Sequence, residues 1–149
     1  MLTGNSYEIL GKSIDENPAL GLLDFETEHE KNRTTSDVIC TSEILKSKAV
    51  GFINTMSNIK NNNEKPLFEV EWGLESKYDG VIYKNLLGTH LIGPLLERNP
   101  EILKFLIEKI CIQKDKEFKI KNIEYFDEQK GYELVLKELE ARREEVKNK

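Results

Sequence analysis

Few residues in this chain can do nucleophilic or proton-transfer chemistry. Its 149 residues include two cysteines, Cys40 and Cys111, and two histidines, His29 and His90. His90 stands in GTHLIGPLLERNP (88–100), where two glycines, a histidine and a proline crowd into seven residues. That punctuation reads as a strand running into a loop and then a helix, a place where an imidazole could serve as a general base. A thiol becomes a nucleophile when a neighbouring base or helix N-terminus favours the thiolate. Cys40 lies in the alternating stretch TSDVICTSEI and Cys111 on the apolar face of a helix, and neither has such a neighbour in sequence. Both read as buried, reduced and structural. No cysteine pair has metal-site spacing, and a zinc site needs four ligands, or three and a water. No metal and no cofactor is expected.

The elements that must position these groups can be read from spacing and breakers. GNSYEILGKSI opens with a glycine and a good N-cap pair and places Tyr7, Ile9 and Leu10 on a short helix near 5–12. ALGLLDFETE, after Pro18, reads as a strand, and SDVICTSEI and KAVGFINTM as two more. The polar tract IKNNNEKP is a loop. LFEVEWG alternates with the period of two of a half-buried strand. Val81–Tyr83 and Leu86–Leu91 form a hairpin-like pair bent at Lys84-Asn85, and Asp79-Gly80 is a turn signal. Asn99 is a good N-cap, with Pro100 at the first helical position and Glu101 complementing the dipole. Leu103, Leu106, Ile107 and Ile110 then predict one buried stripe of a helix near 99–112. The mixed-charge link QKDKEFKIKN leads to a final helix near 127–146, striped by Tyr132, Val135, Leu136 and Leu139. Trp72 reads as a packing residue, Glu69 and Glu71 as solvent-facing acids, and EARREEVKNK as a fraying helix end. The whole is an α/β pattern whose short strands are partly antiparallel. The strand that should feed the first turn is missing, so the chain reads as the second half of a domain.

Composition narrows the function. A net charge of −5 and a pI near 5.2 argue against a nucleic-acid binder, which shows a basic face. The basic residues after Lys114 are interleaved with acids, as on a solvated helix face. No apolar run approaches the ~20 residues that span a bilayer, and no secretory signal is visible. A cytoplasmic protein that binds neither nucleic acid nor membrane is expected.

Three stretches in order, GNSYEILG, ALGLLDFETE…VGF and GVIYKNLLGTHLIGPLLERNPEI, resemble the C-terminal half of a class I glutamine amidotransferase domain. The branch they resemble is the CobB/CobQ-like one, which includes the glutaminase subunit of lipid II isoglutaminyl synthase. There the elbow reads roughly C-G-G-Y-Q-L-L-G, followed by G-L-G-L-L-D and later by G-T-Y-L-H-G-P-L-L. The resemblance covers residues 3 to about 110. It implies a flavodoxin-like α/β domain with a partial amidotransferase unit over 1–113 and a helical extension over 114–149. It also implies glutamine hydrolysis by a cysteine on a sharp strand-to-helix turn, with a histidine as base and backbone N–H groups holding the oxyanion. The ammonia would pass to a Mur-ligase-like or cobyrinic-acid-type amide synthetase.

Carried over residue by residue, the resemblance puts the nucleophile position at Gly4 and the histidine position at Ile92. Neither residue can do that chemistry. His90 falls where the family has tyrosine, Glu8 where it has glutamine, and Thr55 at a further histidine position. If 88–92 is one strand, His90 and Ile92 share a face, but a base two residues away is displaced by about 6–7 Å, beyond the ~3 Å that proton transfer requires. His90 therefore reads as a scaffold residue, and Asn5, Glu8 and His90 remain as candidate substrate contacts. Gly11, Gly21, Asp24, Gly88, Gly93 and Pro94 keep the scaffold pattern. The first expectation is a pseudo-glutaminase that acts by binding. The second is an active glutaminase subunit whose nucleophile comes from elsewhere, serving cobalamin or lipid II amidation. The third is a truncated fragment, which would self-associate through its uncovered face.

Overall fold

The computed structural model describes residues 1–115, 117 and 126–147. Most of the QKDKEFKIKN link lies outside them. The chain opens on β1 (Leu2–Thr3), turns at Gly4 and runs through a 3-10 helix, Gly4–Leu10. The short strands β2 (Ser13–Ile14) and β3 (Asn17–Pro18) precede two long ones, β4 (Glu26–Thr41) and β5 (Ala49–Lys60). Then come β6 (Phe68–Trp72), β7 (Tyr78–Asp79), β8 (Val81–Tyr83), β9 (Leu86–Thr89) and β10 (Leu91–Ile92). Two helices close the chain, α1 (Pro100–Lys114) and α2 (Phe126–Lys147).

These strands make two sheets. One has the order β1-β9-β8, with β1 parallel to β9 through Leu2↔Gly88 and Thr3↔Thr89. The other runs β10-β5-β4-β2-β3, with β6 and β7 branching from the far end of β4. The chain changes sheets at His90, since β9 pairs with β1 and β8 while β10 pairs with β5. Residues 90 and 92 are therefore not on one continuous strand. The strand expected to feed the first turn is present in β1, two residues long and paired in parallel.

Three apolar clusters hold these layers together. Val38, Ile53, Leu67, Phe68, Leu91 and Ile102 lie at the centre of the largest. Tyr7, Leu10, Leu23, Phe25 and Val81 form a second under the 3-10 helix. With three residues per turn, Gly4, Tyr7 and Leu10 stack on one inward face, and all three are buried. Burying side chains such as Tyr7 and Phe25 contributes about 1.5–3 kcal/mol each. The third cluster joins α2 to the sheet: Tyr132 and Leu139 pack on Ile39 and Val50, with Trp72, Val135 and Leu136 at the margin.

Several expectations are corrected. ALGLLDFETE is not a strand from its start, because 19–25 is irregular and Leu20 and Leu22 are exposed. Its end and SDVICT belong to one strand, β4, interrupted only by a shift in pairing between His29 and Thr34. IKNNNEKP begins in β5, and its loop starts at Asn61. The helix near 5–12 is a 3-10 helix ending at Leu10. The α1 stripe is rotated: Ile102 is the buried residue, Phe105 and Leu106 pack on the core, and Ile110 is exposed. The tail does not simply fray, since Arg142 reaches Asp37 at 3.2 Å and Arg143 reaches Glu71 at 3.1 Å. Glu71 also pairs with Lys48 at 2.9 Å, so it is not a free solvent-facing acid.

Candidate functional site

Gly4 ends β1 and starts the 3-10 helix with φ at +64°, a conformation glycine adopts without steric cost. A Cβ placed there would lie 3.0 Å from Cγ2 of Ile92. The turn after β1 and the strand β10 thus face each other, with Ile92 in the space where a side chain at residue 4 would stand. Asn5 follows on the exposed side. Its amide donates to Ser57 Oγ at 3.1 Å, and its carbonyl accepts from Thr55 Oγ1 at 3.3 Å. Thr55 Oγ1 also accepts from the Ser57 N–H at 3.0 Å.

One turn further on, the helix carries Glu8 inward. Its Oε1 is 3.1 Å from Nε2 of His90, whose Nδ1 is 3.0 Å from Oδ1 of Asp79. All three residues are at least nine-tenths buried. The Thr89 hydroxyl donates to Asp79, and the His90 backbone N–H lies 3.3 Å from both Asp79 oxygens. Tyr7 packs edge-on against the imidazole, with centroids 4.8 Å apart, and its hydroxyl oxygen is 3.1 Å from Nδ1. Gly88 makes room for that ring, because a Cβ there would come within 2.8 Å of Tyr7 Cγ. Burial by itself pulls the imidazolium pKa down. Hydrogen bonds to Asp79 and Glu8, with their charges, outweigh it and raise the value to about 9. Burial, followed by the nearby Asp79 and Glu8 charges, raises the Tyr7 phenol well above its usual range, so it stays neutral.

The two thiols take no part. Cys40 is fully buried in β4 and donates to the Ala49 carbonyl at 3.6 Å, and burial pushes its pKa far up. Cys111 is half-buried on α1. Among the described residues no group of three or more histidine, cysteine or acidic side chains is placed to hold a metal ion.

A model of the CobB/CobQ-like glutamine amidotransferase domain matches residues 1–100. The chain belongs to this family. Among curated relatives, the lipid II isoglutaminyl synthase (glutamine-hydrolyzing) subunit GatD of Staphylococcus aureus (strain N315) is 39% identical over 127 residues, covering 79% of this chain and 51% of that protein. The subunit of the same name from Streptococcus pneumoniae (strain ATCC BAA-255 / R6) is 31% identical over 113 residues, covering 71% and 42%. The chain spans about half the length of these relatives. Its mixed α/β architecture of curled sheets and helices fits the flavodoxin-like fold expected of a CobB/CobQ-like amidotransferase domain.

Of the candidate contacts, Glu8 and His90 meet each other, while Asn5 turns towards Thr55 and Ser57. Sequence reasoning missed Asp79, which reads as half of an Asp-Gly turn but is a buried partner of His90. A usable signal was present. A histidine and a glutamate both depart from the amidotransferase pattern, and opposite charges that appear together are candidates for a pair.

Proposed function

We propose that this chain is a glutaminase-like subunit that does not hydrolyse glutamine and serves by binding an amide-forming ligase. The observation that carries the reading is the contact between Gly4 and Ile92. Glutamine hydrolysis needs a nucleophile on the turn and a proton carrier beside it. Here a glycine hydrogen faces an aliphatic methyl group. The positive φ at Gly4 and the approach of Ile92 support taking these two as the nucleophile and histidine positions, with the turn kept and the reactive groups gone. His90 does not substitute, because both its ring nitrogens are engaged by buried carboxylates. Asn5 is the candidate contact left on the exposed side of the turn.

The relatives' names favour a ligase of lipid II amidation over one of cobalamin synthesis, and we propose the cytoplasm as the place of action. The test is ammonia release from glutamine by the chain alone and with a lipid II amidating ligase subunit, alongside calorimetry of their association. No ammonia above background together with measurable binding is expected. Turnover abolished by thiol alkylation would overturn the proposal and favour an active glutaminase. That alternative requires Cys111, half-buried on α1, or a thiol from another chain, since Cys40 is sealed in the core. The double variant Gly4→Cys with Ile92→His tests the placement itself. Its new thiol should be alkylated with a midpoint below the ordinary ~8.5 of a free cysteine, whereas Gly4→Cys alone should not show that shift.

The half-length match to the relatives supports a second reading, a fragment of a longer amidotransferase-like protein. Reading the DNA ahead of the Met1 codon tests it. An in-frame strand–helix–strand pattern there makes this chain a second half, and self-association measured by sedimentation would follow from the uncovered face.

A further inference from the structure

The cluster beside the Gly4 turn has a role that does not depend on glutamine hydrolysis or its loss. Ionised carboxylates only accept hydrogen bonds, and an imidazole donates from both nitrogens only when protonated. Nε2 of His90 is 3.1 Å from Glu8 and Nδ1 is 3.0 Å from Asp79. A neutral ring would leave one nitrogen lone pair facing a carboxylate in a buried place. The contacts fit an imidazolium between two carboxylates, a charge-assisted arrangement stronger than neutral hydrogen bonds.

The three residues belong to three separate segments. Glu8 is on the 3-10 helix four residues after Gly4, Asp79 is on β7, and His90 is the switch between sheets two residues before Ile92. Nothing covalent close in sequence joins them, since Glu8 and His90 are 82 residues apart. The other groups facing the ring are the Tyr7 phenol and the Thr89 hydroxyl, the latter spent on Asp79.

We propose that Glu8, His90 and Asp79 form a buried ionic clamp that holds the Gly4 turn against the β9–β10 switch, and that the clamp opens when His90 loses its proton. In the open state a neutral imidazole satisfies one carboxylate at most, and the other must find water. The Gly4 turn then separates from β10 and uncovers the space between Gly4 and Ile92.

With only two histidines in the chain, the titration of each can be followed by NMR of ring-labelled full-length protein and assigned with His29→Gln. His90 is expected to titrate near pH 9, and its midpoint should fall by about one pH unit or more in Glu8→Gln. Hydrogen exchange at 4–11 and 88–93, corrected for base catalysis, should rise about tenfold per pH unit between the open-state imidazole value near 6.5 and the His90 midpoint, the slope for release of one proton on opening, and level off above that midpoint. Exchange in α2 should not follow it. A His90 midpoint near the free-imidazole value of about 6.5 overturns the proposal. So does exchange at 4–11 that is flat from about pH 6.5 up to the His90 midpoint. Both measurements on the unmodified chain hold their meaning if Glu8→Gln fails to fold.

Discussion

The Gly4–Ile92 contact and the Glu8–His90–Asp79 cluster stand on the same turn and the same sheet switch, yet they are built from opposite materials. At the first, a bare glycine meets a methyl group 3.0 Å from where its Cβ would be. At the second, two acids and a base are buried together, with the Thr89 hydroxyl and the single backbone N–H of His90 also directed at Asp79. The turn uses glycine's tolerance of a positive φ at its tip. It is held one helical turn away, by Tyr7 in the apolar cluster and by Glu8 on His90.

Breaking the ionic side should cost most. His90→Leu leaves two buried carboxylates without a counter-charge and should destabilise the fold by about 3–5 kcal/mol, read from the denaturant midpoint. A loss of about 1 kcal/mol or less, the size for an exposed pair, would erase the contrast between the two regions. Alkali should come next. The folded pKa of His90, about 9, lies above the unfolded value near 6.5. Its contribution is thus fully present below about pH 6.5 and is lost as pH rises through about 9, for a total of roughly 3 kcal/mol. Stability measured from pH 6 to pH 10 should show that decline, and His90→Leu should flatten it. Glu8→Gln keeps an oxygen acceptor and should cost about 1 kcal/mol at neutral pH. On the apolar side, Ile92→Val should cost only about 0.5 kcal/mol. His29, in an exposed pair with Asp15 at 2.5 Å, gives the baseline: His29→Gln should stay within about 0.5 kcal/mol.

The elements nearest this contrast were unevenly legible in the sequence. The hairpin of β8 and β9 could be read from its alternation and its bend, and Lys84 there does take a positive φ of 54°. The α2 stripe could be read because its polar residues leave one apolar face to choose. The α1 stripe could not, because EILKFLIEKICI offers apolar residues on adjacent faces and tertiary packing chose Ile102. Asn99 stands at the N-cap position, but its side chain makes no cap bond. Instead it accepts from Val50 N–H at 2.8 Å and donates to the Val50 and Leu95 carbonyls at 2.7 Å, partners far apart in sequence or set by the loop fold. Gly4 and Ile92 were singled out through the family pattern alone, and the fold sets them against each other. The clamp was not, because a bend at His90 and a contact from β7 are products of topology.

The long ribbon of β4 and β5 has a consequence for how the molecule behaves in a crowd. Beyond Thr27, the edge of β4 away from β5 meets no strand until Ile39 among the described residues, and Glu28–Thr35 are exposed throughout. Such a rim is a template on which another chain can zip itself, the first step of aggregation. Charged side chains crowd this stretch, with Glu28, Glu30 and Arg33 reaching across to Lys60, Asn58 and Asn54 of β5, and charge beside an open edge disfavours pairing with another chain. The same side chains thus brace the ribbon and act as wardens of its solubility.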